Sequence, residues 1–250
     1  MQIGLGISPT IPMGVAVPAF TPASISGLQL WLDASDSSTL YQNSNGTTAA
    51  TADGDPVGYW ADKSGNGRHA TQSDGTKRPT LKLNIQNGKP VIRYDGTNDF
   101  SQLASTLASN TNHTIFFVYK CPNPPMLGLT NLNFLAPYST GPYANLFYIN
   151  NGAGYFEYSD IVNGSQANVR IQSLVWSSSM PVLYFNGIQI AQNRNGTQSG
   201  TTFYDAIEGN YTRPRYGGAD ILEIVFYSSD FSDANRILVQ NYLNTKWSVY

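Results

Sequence analysis

The acidic residues are the side chains with which this chain could carry out acid–base hydrolysis, and their spacing argues against it. Glycoside hydrolysis with retention needs two carboxylates about 5 to 5.5 Å apart on either side of the scissile bond. The three glutamates, Glu157, Glu208 and Glu223, are each isolated from another acid at strand spacing. Asp53 and Asp55 lie two positions apart, but in a Gly- and Thr-rich loop that favours solvated turn residues. We therefore expect no catalytic residues and a protein that is not an enzyme.

Histidine and cysteine are too few to build a metal centre or a nucleophilic site. The chain contains two histidines, His69 and His113, and one cysteine, Cys121. A lone histidine is most often an ordinary hydrogen-bonded residue, and a lone cysteine a small buried hydrophobe. No nucleophile-elbow motif and no phosphate-binding glycine motif is present. These observations predict no metal ligands, no intrachain disulfide and no cofactor.

One loop offers the hard oxygen ligands that calcium prefers. Asp95, Asn98 and Asp99 lie within the sequence Asp-Gly-Thr-Asn-Asp. The same residues are also good turn formers, because their side-chain oxygens accept hydrogen bonds from backbone amides. We favour the turn and leave a structural calcium open.

Tyrosine is the residue most suited to contact a ligand or partner. Its ring offers a flat apolar face with a polar tip, which suits sugar stacking and protein interfaces. About half of the aromatic residues in strands must point into a core, and Phe147 and Phe156 are candidates for that role. The candidate contact residues for a glycan or a partner are Tyr138, Tyr143, Tyr148, Tyr155, Tyr158, Tyr211 and Tyr216.

Many short strands must position these tyrosines. Leu28, Leu30 and Leu32 alternate with Gln29, Trp31 and Asp33, which is the period of a two-faced strand. Asn186-Gly187 between apolar runs predicts a tight hairpin. Further strands are predicted at 57–61, 90–94, 114–120, 145–149, 155–158, 169–176, 182–191 and 221–227. Strands of this number and length are typical of an all-β sandwich or barrel.

A single segment near the C-terminus has a helical period. Ser232 is a good N-cap residue and Asp233 places a negative charge at the positive end of the helix. The predicted apolar stripe consists of Ala234, Leu238, Val239, Tyr242, Leu243 and Trp247. We expect a short helix that packs on the sandwich.

The first 26 residues predict an extended, Pro- and Gly-rich arm, followed by one domain over residues 27–250. The arm lacks the basic cluster of a secretory signal and is interrupted by prolines. Its apolar side chains must cover a surface, either on their own domain or on a neighbouring subunit. The predicted assembly residues are Ile3, Leu5, Ile7, Ile11, Met13, Val15, Val17 and Phe20.

The composition argues against nucleic acids and membranes as partners of this chain. Only 12% of the residues are charged and the net charge is −2, so the chain lacks the basic field that nucleic acids attract. No apolar run approaches the roughly 20 residues that cross a bilayer, which predicts no membrane insertion.

Four segments together resemble the concanavalin A-like lectin and glucanase superfamily, in its laminin-G-like bacterial and phage form. They are the opening Gly27–Asp36, the turn Trp60–Ala70 of the pattern W-x-D-x-S-G-N-G, the segment Pro90–Phe100, and Glu223–Tyr227 with Phe231–Arg236 and the closing helix. The resemblance implies a jelly-roll β-sandwich. It does not choose a function, because lectins, hydrolases and virion proteins share this fold. The Glu-x-Asp-x-(x)-Glu signature of its hydrolases is absent.

Two functions remain open. In the first, the chain is a non-catalytic virion structural protein of a tailed phage, a capsid decoration, fibre or receptor-binding component. Its arm would dock on other virion proteins, and the sandwich would face outward. In the second, it is a bacterial carbohydrate-binding module or lectin, on the cell surface or secreted by a non-standard route, that recognises a surface glycan. A host polysaccharide could bind in either case, and a homo-oligomer stays open.

Overall fold

The computed structural model describes residues 19–109, 112–120, 127–128, 135–138, 146–150, 155–158, 168–177, 181–190, 192–194, 202–207 and 218–250. These residues form strands and one α-helix, α1 (Asp233–Trp247), with short 3-10 turns at Pro22–Ser24, Ser37–Thr39 and Gly75–Lys77. The strands are β1 (Leu28–Asp33), β2 (Leu40–Tyr41), β3 (Tyr59–Trp60), β4 (Ala70–Thr71), β5 (Thr80–Gln86), β6 (Lys89–Arg93), β7 (Ser101–Ser109), β8 (His113–Lys120), β9 (Leu127–Gly128), β10 (Leu135–Tyr138), β11 (Leu146–Asn150), β12 (Tyr155–Tyr158), β13 (Arg170–Trp176), β14 (Pro181–Phe185), β15 (Ile188–Gln189), β16 (Gln192–Arg194), β17 (Thr202–Ile207) and β18 (Asp220–Tyr227).

The strands build three antiparallel sheets. An eight-stranded sheet has the order β15, β14, β13, β8, β18, β6, β5, and β1 also pairs with β18. A six-stranded sheet has the order β2, β3, β4, β7, β17, β9, and a four-stranded sheet the order β10, β11, β12, β16. The fold is therefore all-β and sandwich-like, as the strand pattern predicts.

The main core lies between the eight-stranded and the six-stranded sheet. Leu30 and Leu32 of β1 contribute to one buried cluster with Trp60 of β3, Ala70 of β4 and Leu103 of β7. Because side chains alternate along a strand, their neighbours in sequence point to the opposite face of each sheet. The six-stranded sheet thereby directs Tyr41, Tyr59 and Thr71 away from this core.

A second core covers the other face of the eight-stranded sheet. Trp31 of β1 and Phe116 of β8 pack there with Val239, Leu243 and Trp247 of α1. Since both faces are covered, every residue of β18 is buried, which explains why the strand is mostly apolar, with Glu223 as a charged exception in its middle.

The predicted strands are found with shifted ends, apart from 57–61, of which only β3 is a strand. The hairpin is confirmed, with Asn186 and Gly187 both at positive φ between β14 and β15. The strands that the sequence pattern does not predict are β2, β4, β5, β7, β9, β10, β16 and β17. For the two longest of them, β5 and β7, the reason is visible. In β5 the pattern is interrupted at Asn84, which has a φ of 55° beside a register shift, and β7 is mostly polar.

The predicted helix is found, but the prediction of which of its residues are buried is wrong in part. Leu238 is 48% exposed, whereas Arg236 and Gln240 are buried. Arg236 stacks on Tyr184 at 3.8 Å and donates to Gln240, so a paired cation takes the place expected for an apolar residue. Ser232 occupies the N-cap position without a side-chain capping bond.

The segment before β1 packs on its own domain from Phe20 onward. The Phe20 ring meets Tyr242 of α1 edge to face at 6.1 Å, and the buried Tyr227 hydroxyl donates to the Pro22 carbonyl at 2.8 Å. The other predicted assembly residues, from Ile3 to Val17, lie outside the described residues.

Among the described residues, no helix has the length and apolar character that a membrane span requires.

Candidate functional site

The outward face of the six-stranded sheet carries a row of residues that are direct neighbours across four strands. Tyr41 is the register partner of Tyr59, Tyr59 of Thr71, and Thr71 of Gln102. All four are half-buried, and Ala104, Ser105 and Thr106 further along β7 are exposed. The row is therefore accessible from solvent while the opposite face of the same strands forms the core.

Three rings form one cluster at the edge of this row. Tyr41 meets Tyr59 edge to face at 5.7 Å, and His69 lies over Tyr59 at 4.8 Å with 31° between the ring planes. We call Tyr41, Tyr59 and His69 the aromatic row. Its spacing is that of favourable aromatic pairs. Burial raises the pKa of the Tyr59 hydroxyl, which stays neutral at physiological pH.

A polar loop borders the aromatic row. A Cβ atom at Gly46 would lie 3.6 Å from the Tyr59 ring, which is ordinary van der Waals distance, so the loop passes close to the ring. Asn43 holds the loop by donating to the Thr47 and Thr48 hydroxyls at 2.8 and 3.0 Å. Ring faces and amide or hydroxyl groups thus occur side by side at one surface.

Gly58 allows the loop to approach β3. A Cβ atom at this position would lie 2.6 Å from the Gln42 carbonyl oxygen and 2.9 Å from Arg78 Nε. These contacts are shorter than real Cβ atoms show. The absence of a side chain at Gly58 therefore allows the chain beside Tyr41 to pack closely against Tyr59.

The predicted contact tyrosines divide between the four-stranded sheet and residues that are not described. Tyr148 is the register partner of both Ala136 and Glu157, and Asn150 pairs with Tyr155, while Tyr138 pairs with Leu146. By strand alternation, Tyr138, Tyr148 and Tyr155 occupy positions of one face, whereas Tyr158 shares the other face with Phe147. Tyr143, Tyr211 and Tyr216 lie outside the described residues.

The 95–99 loop shows the turn chemistry that we favoured over calcium binding. One Asp95 oxygen accepts the backbone amides of Thr97, Asn98 and Asp99, and Asp99 in return accepts the Asp95 amide at 3.0 Å. Burial and the nearby Asp95 charge raise the pKa of Asp99 to about 6, although the hydrogen bond from the Asp95 backbone amide lowers it. Among the residues described, no group of three or more His, Cys, Asp or Glu could hold a metal ion.

The two histidines have different surroundings. His69 accepts the Asp62 amide through Nδ1 at 3.0 Å in addition to its contact with Tyr59. His113 is buried between Trp176 and Phe226, with ring centroids 5.4 Å away on each side. Burial lowers the pKa of His113 to about 3, so its imidazole is neutral at physiological pH. Cys121 lies outside the described residues.

The structure also contains a buried charge cluster that sequence spacing missed. Glu223 of β18 is the register partner of Asp33 of β1, and Lys246 of α1 contacts both, at 2.8 Å from Glu223 Oε2 and 2.6 Å from Asp33 Oδ1. Lys63 lies 2.9 Å from Asp33 Oδ2 and 2.8 Å from Asp36. We call Asp33, Lys63, Glu223 and Lys246 the charge cluster. No spacing along one strand could reveal it, because its members come from separate segments.

Indole and phenol groups close the cluster around Glu223. Trp31 Nε1 donates to Oε1 at 2.7 Å and Trp247 Nε1 to Oε2 at 2.6 Å, while the Tyr242 hydroxyl lies 3.2 Å from Oε1. Glu223 has no exposed surface, and the Asp33 side chain is 4% exposed. Burial, and then the Asp33 charge, raise the pKa of Glu223.

The turn Trp60–Ala70, which carried part of the family resemblance, holds β1 in place. Asp62 accepts the amides of Trp31, Ser64 and Arg68 at 2.9 to 3.0 Å. Asn66 donates to the Leu28 carbonyl at 3.0 Å. These bonds give the turn a structural role next to both the aromatic row and the charge cluster.

Comparison with known proteins yields matches in structure alone. No protein-family model and no curated sequence matches the chain. Trypanosoma rangeli sialidase in complex with the inhibitor DANA matches at a TM-score of 0.50 and 12% identity, over 91% of this chain and 35% of the sialidase chain. Domain 4 of AbnA, a GH43 extracellular arabinanase from Geobacillus stearothermophilus in complex with arabinotriose, matches at 0.47 and 12%, over 85% of this chain and 96% of that domain. This chain spans about a third of the sialidase, and at such identities the likeness concerns the fold.

These matches correct the expectation that the chain is not an enzyme. A solved structure with a similar fold is that of a sialidase, so this all-β fold is one found in an enzyme. The expectation rested on acid pairs within single strands. Strand pairing instead brings Asp33 and Glu223 together from opposite ends of the sequence.

Proposed function

We propose that this chain is a carbohydrate-binding domain, with a jelly-roll sandwich of the concanavalin A-like type, that holds a glycan at the aromatic row. The observation that carries the proposal is the contact of half-buried Tyr41, Tyr59 and His69 on the outward face of a sheet whose inward face is core. The sandwich fold shared with a sialidase agrees with it.

The chemistry of the surface suits a sugar. An aromatic ring packs against the apolar C–H face of a pyranose, while neighbouring amides and hydroxyls exchange hydrogen bonds with its hydroxyl groups. Asn43, Thr47, Thr71 and Gln102 provide such groups beside the rings. The row and these neighbours contain no Asp, Glu, Lys or Arg side chain, which favours a neutral glycan.

The test is a glycan array with the full chain, followed by titration of the best ligand with single variants. We expect Tyr41→Ala and Tyr59→Ala each to weaken binding by about tenfold or more, because each removes a ring from the aromatic row. Tyr250→Ala is the matched control, since Tyr250 is 57% exposed and belongs to the C-terminal end. Circular dichroism of each variant confirms that it is folded.

Two results would contradict the proposal. One is the absence of binding across a broad array. The other is binding that Tyr41→Ala and Tyr59→Ala leave unchanged; if Tyr148→Ala or Tyr155→Ala abolishes it, the site is on the four-stranded sheet, as the sequence predicted.

The virion role stays a prediction. It depends on an arm whose apolar residues up to Val17 are outside the described part of the chain. Glycan binding is compatible with it, because a displayed domain can present the aromatic row to a host polysaccharide.

A further inference from the structure

The charge cluster brings the Lys246 amine and the carboxyl groups of Asp33 and Glu223 together in a site with little solvent-exposed surface. Lys246 Nζ lies 2.6 Å from Asp33 Oδ1 and 2.8 Å from Glu223 Oε2. The Lys246 side chain is 13% exposed, Asp33 4% and Glu223 0%. Trp247 and Tyr242 surround the amine, with ring centroids 5.1 and 5.5 Å away.

We propose that Lys246 and Asp33 condense into an intramolecular isopeptide bond, with Glu223 as the group that transfers the protons. The bond would join the C-terminal helix to the first strand of the domain. The proposal is independent of glycan binding.

The reaction balances without any external reagent. Lys246 ammonium passes a proton to Glu223, and the free amine attacks Cγ of Asp33. One oxygen of Asp33 then leaves as water. It takes up the two protons that the ammonium loses, and Glu223 carries the first of these protons to it. The products are a neutral secondary amide between Nζ and Cγ, one water molecule and Glu223 in its original state.

Burial supplies the driving force and the base. An ion pair removed from water bears a large desolvation cost, which a neutral amide avoids. Contact between fixed groups replaces a bimolecular encounter and raises the effective concentration by orders of magnitude. The raised pKa of Glu223 makes it the stronger of the two carboxylate bases, and its Oε2 lies 2.8 Å from Lys246 Nζ.

The surroundings of Asp33 suit the tetrahedral intermediate. The Ser35 amide and hydroxyl donate to Oδ1 at 3.0 and 2.7 Å, and Lys63 donates to Oδ2 at 2.9 Å. Donors fixed around an acyl oxygen stabilise the negative charge that develops there. Although burial opposes it, Lys246, Lys63 and Ser35 together lower the pKa of Asp33, so the reaction begins from the ion pair.

Lys246 is the nucleophile rather than Lys63 because of what each contacts. Lys63 pairs with Asp36 at 2.8 Å as well as with Asp33, and these hydrogen bonds raise its pKa against the effect of burial. Lys246 is the lysine in contact with Glu223. After condensation Lys63 keeps Asp36 as its partner.

Intact-mass spectrometry of the denatured full chain tests the bond. We expect a mass lower than the sequence mass by one water, and a proteolytic map with a branched peptide that joins Asp33 to Lys246. Lys246→Arg and Glu223→Gln should restore the full sequence mass, because the first removes the amine and the second the proton carrier. Lys77→Arg, at an exposed lysine, should leave the loss of water unchanged.

The wild-type chain decides the question even if a variant fails to fold. A wild-type mass equal to the sequence mass overturns the proposal, as does a branch at Lys63 in place of Lys246. Asp33→Asn gives an independent check, since the same attack on an amide releases ammonia, and the mass should then fall by one ammonia.

Discussion

Asp33 of β1 and Glu223 of β18 are direct partners in the antiparallel ladder that joins the first strand to the last. Two like charges at such a position repel each other. Lys246 of α1 bridges them, which makes the helix the source of the compensating charge. The ladder and the helix therefore depend on each other.

Replacement of Lys246 by methionine should destabilise the domain strongly. Two buried carboxylates would then lie together without the cation that bridges them, so we expect the free energy of unfolding to fall by about 3 to 5 kcal/mol. Urea unfolding measures it. Lys77→Met, which breaks the exposed pair with Asp74, should change stability by less than about 0.5 kcal/mol. Equal effects in the two variants would refute the role of the cluster.

Asp99 should make the domain less stable as the pH rises from 4 to 7. Its folded pKa of about 6 lies above the usual aspartate pKa of 3.8, so the folded state holds the proton more tightly. Its contribution is complete below about pH 3.8 and is lost as the pH passes 6. The shift sets an upper bound of about 3 kcal/mol, which solvent at this loop reduces.

Asp99→Asn tests this assignment, because the amide oxygen can still accept the Asp95 amide. The difference in urea midpoint between wild type and variant should change between pH 4.5 and 7. Asp53→Asn, at an exposed carboxylate, is the control. A difference that is constant with pH would show that Asp99 is not the titrating group.

His113 should remain neutral at pH values far below those at which histidine side chains usually take up a proton. Its pKa of about 3 implies that its imidazole proton resonances stay constant from pH 7.5 to 4.5 in an NMR titration. The pH dependence of stability is opposite to that caused by Asp99. The stability due to neutral His113 is present above pH 6.5 and lost as the pH falls toward 3. A titration midpoint near 6.5 would exclude the buried, stacked environment.

Gly58→Ala should disturb the aromatic row without touching a ring. The added methyl group would overlap the Gln42 carbonyl, so β2 and β3 must move apart, at a cost of about 1 to 3 kcal/mol. Thermal unfolding and glycan titration should both show a loss. Gly75→Ala, whose nearest contact is 4.0 Å away, should be nearly neutral in both. Similar behaviour of the two variants would mean that this close approach is not required.

Two truncations should show which part of the N-terminal segment contributes to the stability of the domain. Removal of residues 1–18 keeps the Phe20 contact and the Pro22 carbonyl, and should leave the melting temperature nearly unchanged. Removal of residues 1–26 leaves the buried Tyr227 hydroxyl without its acceptor and should lower the melting temperature by at least about 3 °C. If the shorter chain instead fails to join a particle that the full chain joins, the virion prediction gains support.

Local signals in the sequence determined part of the β architecture. Alternation along Leu28–Asp33, the Asn186-Gly187 turn and the helix start at Asp233 could all be predicted, because each depends on neighbours within a few residues. Strands as short as β2, β3 and β4 have no detectable period, so the surface that they form was not predicted.

Tertiary structure alone decided which residues meet. Tyr41, Tyr59 and His69 come together by strand pairing, and Asp33, Glu223 and Lys246 by the closure of the first strand, the last strand and the helix. Side-chain chemistry can be read from residue types, but the contacts that give it a function join segments far apart in the chain. Only the register of the sheets and the packing of α1 specify those contacts.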